Sequence, residues 1–432
     1  MGEIERRFHS VTLDKPMCKG CTTCIRYCPT QAIRVQQGKA KIISERCIDC
    51  GECIRRCQYR AKKAITDGFE VMDRYKYKIA LPAPAFCGQF SKAGDFDIIL
   101  TGLKMLGFDH VFEVARGAEV VTEKMKELIK NGEVELPVIS SACPAVVRLI
   151  AVKYQDLMSH VAPLTSPMEV AAEMARKEAR EKTGLSDEEI GVFFITPCPA
   201  KVTAIKWPMA LQKSNVDWAI SIKDVYMRLA HSISKIKDVE HLCQSGPNGV
   251  RWANHGGEAE ALGIRRYIAV DGIANVIGVL DQLEDEKING VDFIEALACT
   301  GGCVGGCLTV ENNFVANSRI RRISGKLEDK VGKIEEDMHL YWDKKIEYQP
   351  FSPLDADFSV AMQKAIRMNE IFEGLPQLDC GSCGAPSCRE LAEDIVRGKA
   401  NETDCIFKLR ERVSALAREM AELESKMPPS ME

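Results

Sequence analysis

Short apolar runs that stop at glycine or proline alternate along the chain with longer stretches whose apolar residues recur every three or four positions. KIALPAPAF reads as a strand entering a proline-rich turn, and LPVIS, GVFFITPC and VDFIEALAC as further strands, because four to eight apolar residues bounded by turn formers suit a buried strand. GDFDIILTGLKMLGF, EVVTEKMKELIKNG and PAVVRLIAVKYQDLM carry helical spacing, as does SPMEVAAEMARKEAREKTG, where Gly184 marks the C-terminus. RRYIAVDGIANVIGVLDQL reads as strand, turn and helix. Repeated strand–helix alternation predicts an α/β architecture. Further on, SGKLEDKVGKIEEDMHLYWDKK is expected to be a charged helix and EYQPFSPLDADF a linker.

The last apolar pattern is of another kind. Ile406, Leu409, Val413, Leu416, Met420, Leu423 and Met427 follow one another at alternating three- and four-residue steps, a coiled-coil seam of three heptads. A homodimer through this helix is expected, bringing two copies of the C-terminal segment close together. A helix packed on its own domain is the alternative.

Composition narrows the picture. A net charge of -4 argues against a dedicated nucleic-acid binder, and a 46% hydrophobic share is ordinary for a chain with a core. No apolar run reaches a membrane span of about 18 residues, and MGEIERRFHS lacks the apolar region of a signal peptide, so a cytoplasmic protein is expected. Nineteen cysteines in a reducing compartment are not a disulfide framework. Their clustering points to metal.

Two runs near the N-terminus repeat one spacing: Cys18, Cys21, Cys24, Cys28, then Cys47, Cys50, Cys53, Cys57. This is the two-cluster bacterial ferredoxin signature, in which the fourth cysteine of each run ligates the other cluster. Cys18, Cys21, Cys24 and Cys57 would hold one 4Fe–4S cube, and Cys47, Cys50, Cys53 and Cys28 the second. Zinc is the alternative, but zinc sites usually space their CxxC pairs farther apart. Arg46, Arg55, Arg56, Arg60, Lys62 and Lys63 crowd the second run, either to steer an acidic redox partner or to offset cluster charge.

Three more cysteine segments lie in the middle. ALACTGGCVGGCL (296–308) sets Cys299, Cys303 and Cys307 among glycines that let the backbone turn tightly. Cys143 and Cys198 each end an apolar run and are each followed by proline, Pro144 or Pro199. That places them between a strand's carboxyl end and a helix N-terminus, where the dipole favours a thiolate. Open α/β sheets put ligands in that crevice. Four thiolates from three loops converging there would make a metal site.

SACPAV, TPCPAK and ALACTGGC resemble the three signature segments of the FeFe hydrogenases, over roughly residues 75–350. The resemblance implies two lobes with parallel sheets flanked by helices, and Cys143, Cys198, Cys299 and Cys303 holding an H-cluster in the cleft. That cofactor is a 4Fe–4S cube joined through Cys303 to a two-iron unit carrying CO, cyanide and a dithiolate bridge. By the same likeness Lys201 would bond a cyanide, and Ala83, Pro84 and Ala85 would line the two-iron pocket. The Gly-rich HLCQSGPNGVRWANHGGEAEAL also resembles a family segment, without a ligand; Cys243 within it and Cys87 are expected to be structural thiols. Cys380, Cys383, Cys388 and Cys405 resemble the small 4Fe–4S domain of Rnf-type electron-transport subunits, with structural zinc as the alternative. The implied domains are a two-cluster ferredoxin-like domain (1–70), the H-cluster domain (75–350), a C-terminal 4Fe–4S domain (355–405) and the coiled-coil helix (406–428).

The chain departs from the hydrogenase pattern around the two-iron unit. The proton-passing cysteine is replaced by Ala142, two crowding methionines by Thr196 and Leu297, and a glutamate by Ala204. The relay glutamate after GAEVV is missing, with Glu123 and Glu127 as nearby candidates. Cys307 stands where the family has glycine, as a substitute relay or a packing thiol. Such departures resemble the sensory FeFe hydrogenases, some of which carry a ligand-sensing domain; here none is expected after the heptads, and signalling through a separate partner is expected instead. The resemblance thus implies slow interconversion of H₂ with protons and electrons, relayed through 4Fe–4S clusters to ferredoxin or a signalling protein. A hydrogenase-like iron–sulfur assembly or carrier protein, or an electron relay without the two-iron unit, is the other class.

Overall fold

The computed structural model describes residues 8–91, 95–349 and 353–427. They fall into two compact units: a larger one of residues 8–12, 48–51 and 64–349, and a smaller one of 13–47, 52–63 and 353–427. No helix among the described residues is long and apolar enough to cross a membrane.

The larger unit is built on two parallel sheets. We label their strands β1 (Tyr77–Pro82), β2 (His110–Val111), β3 (Val138–Ile139), β4 (Ile190–Thr196), β5 (Trp218–Ser221), β6 (Tyr267–Asp271) and β7 (Phe293–Leu297). One sheet runs β2-β1-β4-β5 and the other β6-β7-β3, every pairing parallel. All seven residues of β4 are buried, as expected where helices cover both faces of a parallel sheet. The core is therefore apolar along whole strands rather than at alternate positions. Helices Val114–Asn131 and Pro167–Thr183 pack closely where Gly117 meets Pro167; a Cβ at Gly117 would lie 2.3 Å from the Pro167 carbonyl oxygen. Gly184, at φ +70°, ends the second of these as its spacing predicts.

Three expectations change. PAVVRLIAVKYQDLM is helical only over Pro144–Lys153, and that helix is buried from Ala145 to Val152 rather than amphipathic. It stops at Tyr154, whose hydroxyl donates to Asp281 Oδ1 at 2.6 Å. The charged segment after Ser324 is not helical but an irregular strap. Its backbone and side chains are engaged elsewhere: Thr165 N donates to Leu340 O, Trp342 N donates to Pro163 O, and Lys177 binds Glu335 and Asp337. Ile334, Met338 and Leu340 pack into the same core as Leu128 and Val138. The short strands β2 and β5 and the helices Ile222–Leu229 and Phe358–Gly374 are elements the pattern does not announce.

The smaller unit joins chain ends about 350 residues apart. Its N-terminal hairpin, Ile33–Gln36 with Lys39–Ile42, meets the C-terminal cysteine segment through a backbone bond from Val35 N to Gly384 O at 2.8 Å. Buried Arg34 pairs with buried Asp394, and Arg46 with Glu393. Helices Phe358–Gly374 and Cys388–Val396 pack together, and Ile406–Ser425 follows.

Candidate metal centres

In the larger unit the cysteines emerge where the strands stop. Cys143 is the N-cap of Pro144–Lys153 and Cys198 the N-cap of Pro199–Lys206, each with proline in the first turn. Cys299 and Cys303 follow β7 on a loop in which Gly302 sits at φ +85°. A Cβ there would come within 2.6 Å of the Ala253 carbonyl oxygen, so close approach of chain to chain requires glycine. Thr196 also serves this local order: its Oγ1 donates to Cys198 O at 3.0 Å and accepts from Cys198 N at 3.2 Å.

The four sulfurs lie within electrostatic reach of one another. Burial pushes the Cys198 thiol up to about 12, with Cys299 and Cys143 adding to the rise and Lys201 opposing it. Burial likewise raises Cys303 far above the ordinary thiol range, with Lys201 opposing and the other three cysteines reinforcing. The helix dipole expected to favour a thiolate at Cys198 is outweighed by desolvation. Half-buried thiols held this way ionise when a metal supplies positive charge, which is how a cysteine-ligated iron–sulfur cluster fits this hollow.

Against Cys303 lies a cavity lined by Ala83, Pro84, Ala142, Lys201 and Leu297, with Phe194, Met168 and Trp252 completing its apolar wall. Residues of both sheets contribute, and Lys201 Nζ donates across it to Ala142 O at 3.2 Å. Ala85 is buried but outside this wall, its carbonyl accepting from Gln89 Nε2, and Thr196 is outside it too. Ala204 lines a different cavity, beside Arg148 and Met209.

Two carboxyls of the wall are not foreseen from the sequence. Glu258 is pushed up to about 8, chiefly by burial and then by Glu295. Its Oε2 accepts from Ser140 Oγ at 2.6 Å, while its Oε1 is buried with no partner. Glu295 is pushed up to about 7 by burial, although Gly256 N and Ala259 N both donate to it. Glu258 lies in the Gly-rich segment and Glu295 in the run before Cys299, but neither position signals a role there; the fold turns them inward. Glu123 and Glu127, by contrast, pair with Lys126 and Lys124 on the outer side of their helix. Glu119 of the same helix is the buried one, raised to about 7 by burial and bonded by Gly246 N at 2.6 Å.

Cys307 is not in the cavity wall. Its sulfur faces Gly51, in the second ferredoxin-like run: a Cβ on Gly51 (φ +75°) would meet Cys307 Sγ at 2.6 Å. The neighbouring Asp49 is fully buried and gathers the surroundings of both cysteine-capped helices. Its Oδ2 accepts from Arg148 Nη1 at 3.1 Å and Thr203 Oγ1 at 3.0 Å, and lies 3.0 Å from His9 Nδ1. Its Oδ1 accepts from Val11 N. Arg148 belongs to the helix begun by Cys143, and Thr203 to the one begun by Cys198.

In the smaller unit Cys18, Cys21, Cys24 and Cys57 gather as the ferredoxin pattern requires. Burial pushes Cys24 up to about 11, opposed by Lys62 and reinforced by the other three. Backbone N–H groups of Ala40, Ala32 and Ala61 donate to the sulfurs of Cys18, Cys28 and Cys57. Lys62 is buried with no hydrogen-bond partner on its ammonium, an orphan cation suited to an anionic cluster. In the second run Cys47 follows a turn at Ser44–Arg46, Cys50 precedes Gly51, and Cys53 sits in the short helix Glu52–Arg55. The basic crowd expected to steer a partner is largely engaged: Arg46 with Glu393, Arg55 and Arg56 with Glu52, Lys63 with Asp14. At the other end Cys383 lies near Cys380 and Cys405, and Cys388 N donates to Asp379.

Parallel sheets with cysteines at their carboxyl ends, in a chain that also carries ferredoxin-like cysteine loops, define a multi-cluster iron–sulfur protein of the α/β class. Residues 76–265 and 235–307 match the family described as the iron only hydrogenase large subunit, C-terminal domain, and the chain belongs to it. Residues 10–58 match the 4Fe-4S dicluster domain, and 375–407 an Fe-S cluster family. The protein carries 4Fe–4S cofactors. Among curated relatives, the periplasmic [Fe] hydrogenase large subunit of Nitratidesulfovibrio vulgaris is 26% identical, over 45% of this chain and 51% of that one. Iron hydrogenase 1 of Clostridium pasteurianum is 24% identical, over 70% of this chain and 65% of that one. The chain thus spans between half and two thirds of the length of these hydrogenases. The human nuclear prelamin A recognition factor is 24% identical, over 62% of this chain and 74% of that one. A solved [FeFe]-hydrogenase HydA1 from Chlamydomonas reinhardtii aligns at 17% identity and TM-score 0.45, over 60% of this chain and 86% of that one.

Proposed function

We propose that this protein is a slow FeFe hydrogenase that interconverts H₂ with protons and electrons, used to sense hydrogen or redox state. One observation carries the reading. The cavity beside Cys303 is lined by the residues that would receive a two-iron unit, with Lys201 at its edge and Ala142 where an acid is expected. Bound there, an H-cluster would supply the metal on which H₂ is split or formed. Cys143, Cys198, Cys299 and Cys303 would hold its cube. Lys201 Nζ is placed to donate to an anionic ligand, and Ala83, Pro84 and Leu297 exclude water.

Ala142 has no proton to pass. Of the groups on the wall, Glu258 keeps its proton near neutral pH and presents the partnerless Oε1. In this reading Glu258 delivers the proton to the cavity, with Ser140 Oγ holding its other oxygen. Proton transfer requires a group within about 3 Å or one water away. A single carboxyl in place of a tuned relay accounts for low turnover. Cys307 turns towards Gly51 rather than the cavity, so it is not the relay; electrons would pass through the ferredoxin-like clusters or the C-terminal one. Ferredoxin or a signalling protein would take up the electrons.

A second reading, an iron–sulfur carrier or electron relay without the two-iron unit, is favoured by Ala142 and by the match to the prelamin A recognition factor. Infrared spectra of protein produced with the hydrogenase maturation machinery separate the two. CO and cyanide stretches are expected; their absence, with the clusters intact, selects the carrier or relay.

A further inference from the structure

The helix Ile406–Ser425 buries none of its twenty residues. Its six seam residues, Ile406 to Leu423, and Met427 just beyond its end are all 42% exposed or more. A single helix of this length is marginal in water without a packed face, so the seam wants a partner. Ile406, Val413 and Met420 alternate with Leu409, Leu416 and Leu423 along one narrow stripe, the seam of a coiled coil.

The charges say which partner and in which direction. In the first half, Lys408, Arg410 and Arg412 against Glu411 leave a net charge of about +2; in the second, Glu419, Glu422 and Glu424 against Arg418 leave about −2. Two copies side by side and parallel would stack positive on positive and negative on negative. They would also set Glu419 against Glu424 of the second copy, since the residue before one seam position meets the residue five further on. Reversed, each positive half lies along a negative half. The layers become Val413 with Leu416, Leu409 with Met420 and Ile406 with Leu423, and Arg412 of each copy meets Glu419 of the other. We propose that Ile406–Ser425 forms an antiparallel two-stranded coiled coil with a second copy of this chain.

The consequence reverses the expectation of neighbouring clusters. Cys405 precedes the helix, so antiparallel pairing places the two Cys405 residues at opposite ends, roughly 30 Å apart along a helix rising about 1.5 Å per residue. The coil then joins two independent redox units rather than wiring their C-terminal clusters together. This holds whatever chemistry the larger unit performs.

Sedimentation of the full, cluster-loaded chain tests the proposal. A dimer is expected, and Leu416→Glu should yield a monomer with unchanged cluster absorption. Glu419→Arg places arginine against arginine twice in the antiparallel dimer and should weaken it about tenfold, given two reversed pairs. Adding Arg412→Glu restores both pairs and should restore affinity. A parallel dimer behaves oppositely, since Glu419→Arg would relieve its repulsion and tighten it. A wild-type monomer, a dimer that survives Leu416→Glu, tightening by Glu419→Arg, or weakening that Arg412→Glu leaves unrepaired would each overturn the proposal.

Discussion

The two units hold their cysteines by different means. In the smaller unit Cys18, Cys21 and Cys24 lie within one short segment, Cys24 in the helix Thr23–Arg26, and backbone N–H groups a few residues from Cys28 and Cys57 donate to those sulfurs. In the larger unit Cys143, Cys198 and Cys299 stand on three loops far apart in sequence, brought together by two parallel sheets. The first kind of site draws three ligands from one short segment and a fourth, Cys57, from the second run. The second exists only if β3, β4 and β7 end side by side. The smaller site therefore tolerates changes in distant packing, whereas the larger one depends on what braces its helices, above all the buried Asp49 with Arg148 and Thr203.

The sharpest separation comes from removing one ligand on each side. Cys303→Ala should abolish H₂ activity and remove roughly six irons per chain, the cube and the two-iron unit together, leaving the ferredoxin-like spectrum; Cys21→Ala should remove roughly four and leave the larger unit's iron in place. Iron counting with electron paramagnetic resonance reads both, and loss of all clusters in either variant would show that the two sites are not independent.

Arg148→Leu should be next in size. Breaking a buried ion pair by removing one partner typically costs about 3–5 kcal/mol, here lost from the larger unit alone. Denaturant unfolding should show the larger unit melting earlier while the cluster absorption of the smaller one persists. A loss below 1 kcal/mol would mean that Asp49 is satisfied without the guanidinium.

Glu258→Gln keeps shape and burial but cannot deliver a proton. We expect H₂ evolution to fall by about 10²-fold, the lower end for general acid–base catalysis, with the melting temperature held. Ala142→Cys should raise it. An unchanged rate in Glu258→Gln would place the proton route elsewhere.

The smallest effect is a pH dependence confined to the larger unit. Glu119, raised to about 7 mainly by burial, binds its proton more tightly folded than unfolded. Its contribution is therefore complete below the ordinary glutamate value and is lost as pH rises through about 7. The loss should be about 2 kcal/mol after allowing for partial exposure. Glu119→Gln should flatten the stability curve between about pH 4.5 and 7, the interval between the two values; an undiminished slope would assign the effect to other buried carboxyls.

Much of this was legible beforehand. The proline after Cys143 and after Cys198 announced a helix start, and both helices begin there. The glycines after Cys299 announced tight backbone, and Gly302 has it. The charged strap after Ser324 misled because i,i+4 charge spacing looks helical, whereas its residues bind Lys177 and the core instead. Glu258 and Glu295 gave no signal, because burial of a carboxyl is a property of what surrounds it.

Sequence alone determined which cysteines can share a cluster locally, where strands hand over to helices, and the charge order of the last helix, because each depends on residues within a few positions of one another. Only the tertiary structure decided that Cys307 turns to Gly51, that Glu258 faces the cavity, and that the N-terminal hairpin and the C-terminal cysteines form one unit through Arg34 and Asp394. Those outcomes rest on contacts between segments hundreds of residues apart, and no local spacing encodes them.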